Sequence, residues 1–312
     1  MQLREFVLGD IPAIAAIRNA SIDISPDFYS MTVDRYRYDF YDADLPMKSR
    51  IMVAEADTGK VAGFYHLYTD EHLLQRGRSN LDSIHVHPDM RGQGVGAALV
   101  ASACETARSW GATYVSTAIP DASPRSLEFL ERHGFQRVRT FDKMRLGIRG
   151  TEGPPDVPPG FTLRNFKAGD DAAFVEVFNA AFADHWDFVP LTLTEVQQWN
   201  RRPSFDPRGC FLLFEDGEPQ KLVGFTTVLF NPERAEVTGK VIGRIFEMGV
   251  LPAYRRKGLG FVLLKVALKY AADNHFDAVD LVTDAESEAG KQLYAKAGFE
   301  EKRSSIVLHH QV

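Results

Sequence analysis

V-H-P-D-M-R-G-Q-G-V-G (Val86–Gly96) and V-L-P-A-Y-R-R-K-G-L-G (Val250–Gly260) follow one pattern: Val-x-Pro, an Arg three residues later, then Gly-x-Gly. Each is preceded by a short alternating run, SIHVHP or IFEMGVLP, that reads as a strand ended by proline. Each opens a run of helical period, clearest in Leu259, Val262, Leu263, Val266, Ala267 and Tyr270. A strand, a glycine loop and a helix in that order form an anion site. Glycine lets the backbone come close and take φ > 0, and the uncapped N–H groups and dipole of the helix start face the anion. The loop is not a GxxxxGK[ST] phosphate loop. It is not a dinucleotide fingerprint either, because no acidic residue is placed for a ribose.

The two stretches belong to a longer internal repeat. Pro88, Arg91, Gly94 and Gly96 recur 164 residues on as Pro252, Arg255, Gly258 and Gly260, and Gly134-Phe135 recurs as Gly298-Phe299. LREFVLGD from Leu3 returns as LRNFKAGD from Leu163, and Gly63-Phe64 returns as Gly224-Phe225. Landmarks in one order with small drifts in spacing indicate two copies of one domain with loop insertions. The seam RGTEGPPDVPPG (149–160) reads as an extended Pro/Gly-rich linker between domains at 1–148 and 161–312. Each half reads as a helical segment from Ile11 or Ala172, then antiparallel strands (IMVAEA and VAGFYHLYT; CFLLFED and KLVGFTTVLF). The loop and its helix follow, then a strand (YVSTAI or AVDLVT) and a short helix ended by glycine. The fold class is α+β: two tandem units, each a mostly antiparallel sheet flanked by helices.

Composition narrows the function. The 312 residues carry a net charge of −6, which disfavours a nucleic-acid binder. Two cysteines, Cys104 and Cys210, give no disulfide framework or zinc pattern and fit a reducing cytoplasm. The start MQLREFVLGD has no apolar signal region, and no apolar run approaches the ~18 residues needed to span a bilayer. His85 and His87 lack a third ligand nearby, so no metal is expected, and His309-His310 reads as a frayed end. No GxSxG elbow or cysteine nucleophile context points to hydrolysis.

The V-x-P-x-x-R-x-x-G-x-G stretches and Q-L-Y-A-K-A-G-F (Gln292–Phe299) resemble the pyrophosphate-binding and closing motifs of GNAT-type N-acetyltransferases. The doubled arrangement resembles tandem GNAT proteins of the mycothiol synthase type. The resemblance implies acetyl-CoA as donor and direct attack by a small-molecule amine acceptor in a ternary complex. It implies a splayed strand beside which pantetheine inserts, bonded around Met248, Gly249 and Val250. The pyrophosphate would sit over Arg255, Arg256, Lys257, Gly258, Leu259 and Gly260. The first-half counterparts are Ile84, His85 and Val86, then Arg91, Gly92, Gln93, Gly94, Val95 and Gly96. Ser287 stands where relatives carry a pantetheine-bonding Asn; the alternative is an N-cap.

Tyr294 stands where the family places the acid that protonates the leaving thiolate; the alternative is a packing role beside the sulfur. In the first half Phe129 is taken as its counterpart, which leaves that half a cofactor-binding copy without the acid. The family's usual Glu, six residues before the motif valine, is replaced by Arg244 and Asn80. Glu247 is the candidate base or water-holder, with Asp82 as the comparable acid in the first half. A strict two-residue alternation sets Arg244 and Glu247 on opposite faces, and a β-bulge would re-aim one of them. Aromatics (Phe28, Tyr29, Tyr36, Tyr38, Phe40, Tyr41; Phe182, Trp186, Phe188, Trp199) border an acceptor cleft or fill the core. Asp39, Asp184 and Asp187 are available to a cationic amine. The alternative to an enzyme is a non-catalytic acyl-CoA-binding sensor with the same loops.

Overall fold

A computed structural model describes residues 1–21, 30, 32–37, 48–199, 205–218 and 220–312. Phe28, Tyr29, Tyr38, Asp39, Phe40 and Tyr41 lie outside the described residues. The first repeat runs β1 (Gln2–Glu5), α1 (Ile11–Asn19), α2 (Val33–Arg37), β2 (Lys48–Glu55), β3 (Val61–Thr69), α3 (Glu71–Gln75), β4 (Arg78–Val86), α4 (Val95–Ser109), β5 (Tyr114–Pro120), α5 (Pro124–Arg132) and β6 (Gln136–Gly147). The second runs β7 (Phe161–Asn165), α6 (Asp171–Phe182), α7 (Leu193–Trp199), β8 (Cys210–Glu215), β9 (Lys221–Phe230), α8 (Pro232–Thr238), β10 (Ile242–Val250), α9 (Leu259–Asp273), β11 (Ala278–Asp284), α10 (Glu288–Lys296) and β12 (Glu300–Gln311). No described helix is long and apolar enough to cross a membrane.

The chain forms two compact units, and their limits differ from the boundary expected at 148/161. One is Met1–Phe141 with Arg303–Val312, the other Asp142–Lys302. The first unit orders its strands β1-β2-β3-β4-β5 and closes with the chain's last strand. His309 and His310 are therefore not a frayed end: they pair with Ser116 and Val115 of β5. The second unit orders β7-β8-β9-β10-β11 and closes with Asp142–Gly147, from the end of β6. The reason is side-chain chemistry. Ile306 and Leu308 are buried among Leu99, Val115, Leu130 and Phe135 of the first unit. Met144 is buried among Leu264, Ala267 and Val279 of the second, and Arg145 grips buried Asp280 at 2.5 and 2.9 Å.

Repeated residues have repeated reasons. In LREFVLGD, Arg4 bonds Asp10 through both terminal nitrogens at 2.8 Å, and Asp10 accepts from Val7 N–H. In LRNFKAGD, Arg164 bonds Asp170 at 2.7 and 2.8 Å, and Asp170 accepts from Lys167 N–H. The bidentate pair fixes the turn from first strand to first helix. Both aspartates are held below the usual carboxylate range by that arginine. Gly63 and Gly224 are glycine because of crowding. A Cβ there would stand 2.8 Å from the His85 carbonyl oxygen or 3.0 Å from that of Gly249, against leucines of α4 or α9.

In each unit the central helix lies on one sheet face. In the second unit Leu264, Ala267 and Ala271 of α9 pack on Ile245, Val279 and Leu281. The opposite face carries α6, whose Phe174 and Phe178 pack with Phe225 and Leu212.

Candidate active site

The site begins where two strands part. β10 pairs with β11 in parallel only over Ile242–Arg244 and Ala278–Asp280. β4 and β5 pair only over Arg78–Asn80 and Tyr114–Ser116. Beyond those rungs β10 stays bonded to β9 alone, with Leu251 N–H donating to Val223 carbonyl oxygen at 2.9 Å. That bond fixes the alternation: Gly249 directs its backbone polar groups to Phe225, while Met248 and Val250 direct theirs into the opening. The bond from His87 N–H to Ala62 carbonyl oxygen gives Ile84 and Val86 the same role in the first unit. An opening edged by unused strand hydrogen bonds fits an extended, amide-bearing ligand.

Below each opening lies the glycine loop. Gly94 and Gly258 cap α4 and α9 with φ of 81°, and no side chain caps either helix start. The space beside both Cα atoms is open to 4 Å. Gly92 has φ 75°, and its counterpart Arg256 holds φ 62°, a left-handed conformation that costs a non-glycine residue about 1 kcal/mol. Arg91 and Arg255 act as latches: their Nε atoms donate to the Val86 and Val250 carbonyl oxygens at 3.3 Å. Arg255 also bonds Asp184 at 2.5 and 3.0 Å. Asp184 is therefore engaged by the loop rather than open to a cationic amine. Arg256 and Lys257 make the second loop more basic than the first, which has Gly92 and Gln93 there.

A bulge decides the chemistry of the face beside α6. In β10 the register passes from Ile245↔Val228 to Glu247↔Thr227, leaving Phe246 as the extra residue. Arg244 and Glu247 thereby come onto the same face, opposite Ile245 and beside Gly249, whose missing Cβ would meet Ala181 of α6 at 3.1 Å. Glu247 is only partly open to solvent. Burial pushes its carboxyl up to about 7, with the Arg244 guanidinium pulling the other way. Tyr294, on α10, has its ring edge-on to Phe299. Burial and then the charge of Glu247 push its phenol up to about 12. The site thus pairs a carboxyl that changes charge near neutrality with a phenol that keeps its proton there. Ser287 caps α10, accepting from Gly290 N–H at 3.3 Å.

The first unit has the same frame without these groups. Its bulge falls at Asp82, between the rungs His66↔Ser83 and Leu67↔Leu81. Asp82 is thus the counterpart of Phe246, not of Glu247, and Ser83 stands in the glutamate's place. Asp82 closes a polar chain in which Ser49 Oγ meets His66 Nε2 at 2.9 Å and His66 Nδ1 lies 3.8 Å from Asp82. Burial pushes the Asp82 carboxyl up, but His66 and the Ser83 hydroxyl carry it below its ordinary value. Phe129 is not the counterpart of Tyr294 either. Phe129 sits over Gly96 as Leu293 sits over Gly260, so Leu130, buried, occupies the tyrosine position. His85 stacks on Phe64 at 5.3 Å, and burial drives its imidazole down to about 4.

The aromatic border divides. Tyr36 is buried against Phe64. Phe182, Phe188 and Trp199 pack on the cluster around Phe178. Trp199 also stands edge-on to Phe246 at 5.6 Å, which brings it to the bulge.

The model of the acetyltransferase (GNAT) family matches residues 14–135 and 172–299, one copy per repeat. The chain belongs to the GNAT family. It is 32% identical over 256 residues to a mycothiol acetyltransferase of Frankia casuarinae, covering 80% of this chain and 71% of that one. A mycothiol acetyltransferase of Paenarthrobacter aurescens is 30% identical over 298 residues, 94% of this chain and 89% of that one. A GCN5-related N-acetyltransferase structure from Sphaerobacter thermophilus superposes with a TM-score of 0.76 at 24% identity, covering 99% and 95%. A tandem GNAT protein from the clavulanic acid biosynthesis pathway gives 0.73 at 18%, covering 99% and 98%. These two show the fold: tandem GNAT units of mixed α+β structure. The protein is an acetyltransferase that acts on an amine, and GNAT proteins take the acetyl group from acetyl-CoA.

Proposed function

We propose that the second unit is the working GNAT centre, that it takes acetyl-CoA, and that its acceptor is a small-molecule amine, as the names of the mycothiol acetyltransferase relatives suggest. The observation that carries this reading is that Glu247, on β10 at the opening, lies within electrostatic reach of Tyr294, where the first unit has Ser83 and Leu130. Bound acetyl-CoA supplies an activated acetyl thioester. Arg256 to Gly260 hold its pyrophosphate through the open N–H groups of α9 and the loop's charge. Met248 and Val250 bond its pantetheine arm, and Val250 N–H faces the thioester carbonyl as charge develops on it. Glu247, as carboxylate, takes one proton from the acceptor ammonium, directly or through one water, which frees the amine to attack the thioester carbonyl. Tyr294 donates its phenolic proton to the departing thiolate, and the second proton of the nitrogen, lost as the amide forms, restores the phenol. Ile84, Val86 and Arg91 to Gly96 form the equivalent cradle in the first unit, which binds the same nucleotide without the acid and base. The chain works in the cytoplasm, where its two buried free thiols, Cys104 and Cys210, stay reduced.

The test is a panel of small amines with acetyl-CoA, read by free-thiol release and by mass of the acetylated amine. At least one amine is acetylated. Stoichiometric acetyl-CoA binding with no turnover on any amine would support the sensor reading instead.

A further inference from the structure

Arg244 takes no part in the proton transfers proposed for the second unit, yet its placement is specific. It is the last residue of β10 that pairs with β11 before the strands part, opposite Asp280. Asp280 is already occupied, bonded by Arg145 at 2.5 and 2.9 Å and paired with Lys143 at 3.1 Å. The Arg244 side chain makes no hydrogen bond or ion pair with any described residue. Its guanidinium lies over the Phe246 ring, 5.3 Å from the centroid. The bulge puts it on the face of Glu247, two rungs away and thus roughly 7 Å along the strand. Trp199, edge-on to Phe246, adds an apolar wall there.

We propose that Arg244 is an acceptor-binding residue, selecting amines that carry an anionic group, a carboxylate or a phosphate, near the nucleophilic nitrogen. This rests on the reading of the second unit as the transferase centre. A permanent cation this close to the base repels an acceptor whose only charge is its ammonium. An acceptor with a compensating anion meets the opposite field: the guanidinium takes the anion bidentately and the amine falls toward Glu247. A separation of roughly 7 Å suits one small molecule bridging the two side chains. The Phe246 ring beneath the guanidinium holds the fork in place by cation–π contact.

The test uses the full-length protein, acetyl-CoA and matched acceptors: L-alanine against L-alaninamide, and glucosamine 6-phosphate against glucosamine. The expected result is a kcat/KM preference of about 10-fold or more for the anionic member of at least one pair, as for a charge-assisted contact. The pair that shows it identifies the anion as carboxylate or phosphate. Arg244→Gln brings the ratio close to one while the acetyl-CoA dissociation constant stays as in the parent, and Arg244→Lys gives an intermediate ratio. Equal rates within both pairs, or a preference that survives Arg244→Gln, would overturn the inference alone. Failure to acetylate any amine, including those of the wider panel, would overturn the underlying reading and this inference with it.

Discussion

A carboxyl set among protein atoms resists ionising, and a guanidinium on the same strand face resists that resistance. Glu247 is the residue where these forces meet, and burial wins: the carboxyl rises to about 7. With Glu247 as the proposed base, protonation below that pH stops it taking a proton from the acceptor ammonium, and activity is expected to fall on the acid side. The kcat/KM profile of the parent enzyme should lose rate as pH drops through about 7. Glu247→Gln should lower the rate by about 10²-fold and remove that acid limb, with folding and acetyl-CoA binding retained. A pH titration of both proteins checks this; an unchanged limb in the variant would retire Glu247 as base. Glu247 was legible in the sequence as an acid three residues before the motif valine. Its partnership with Arg244 was conditional, because plain alternation separates them and only hydrogen-bond register reveals the bulge at Phe246. The same offset misled in the first repeat: counting acids pointed to Asp82, and counting aromatics pointed to Phe129. Aligned by the 164-residue spacing and by what packs on Gly96 and Gly260, the true counterparts are Ser83 and Leu130.

Among the elements, the two glycine loops and their helices were the most readable, since Pro, Arg and Gly each have one physical use there. The strands after the closing glycines were the least readable. β12 starts with charged, exposed residues and ends in His309-His310-Gln311, which resembles a polar tail, and β6 interleaves Asp142, Lys143 and Arg145 with Met144 and Leu146. Their destination is a matter of which core accepts them. Leu308 is fully buried in the first unit although it follows the second repeat in sequence. Leu308→Ala should therefore cost about 2–5 kcal/mol. The loss should appear as faster hydrogen exchange in α4 and β5 rather than in α9 and β11. Loss of protection confined to α9 and β11 would contradict the strand assignment.

Across the whole molecule, the repeat carries two glycine-loop cradles, proposed to hold the nucleotide, and one Glu–Tyr set, proposed to handle protons. Splayed strands, left-handed Gly94 and Gly258 and latching Arg91 and Arg255 occur twice. Glu247 and Tyr294, the proposed base and acid, have no equivalent at Ser83 and Leu130. Both repeats were visible from spacing, because loop chemistry is local. The asymmetry was visible in outline through the missing tyrosine, though at the wrong residue. The compact units escaped the sequence because Asp142–Gly147 and Arg303–Val312 join sheets that local patterning cannot name. The assignment on which the proposed chemistry depends is acetyl transfer in the second unit. It is tested most directly by the turnover of two variants on one accepted amine. Tyr294→Phe should lower kcat by about 10²-fold with acetyl-CoA affinity little changed. Gly94→Asp, which puts a carboxylate into the first unit's anion site, should leave kcat within about twofold of the parent, since binding lost away from the reacting atoms does not enter the chemical step. Full activity in Tyr294→Phe together with its abolition in Gly94→Asp would place the chemistry in the first unit and contradict the account.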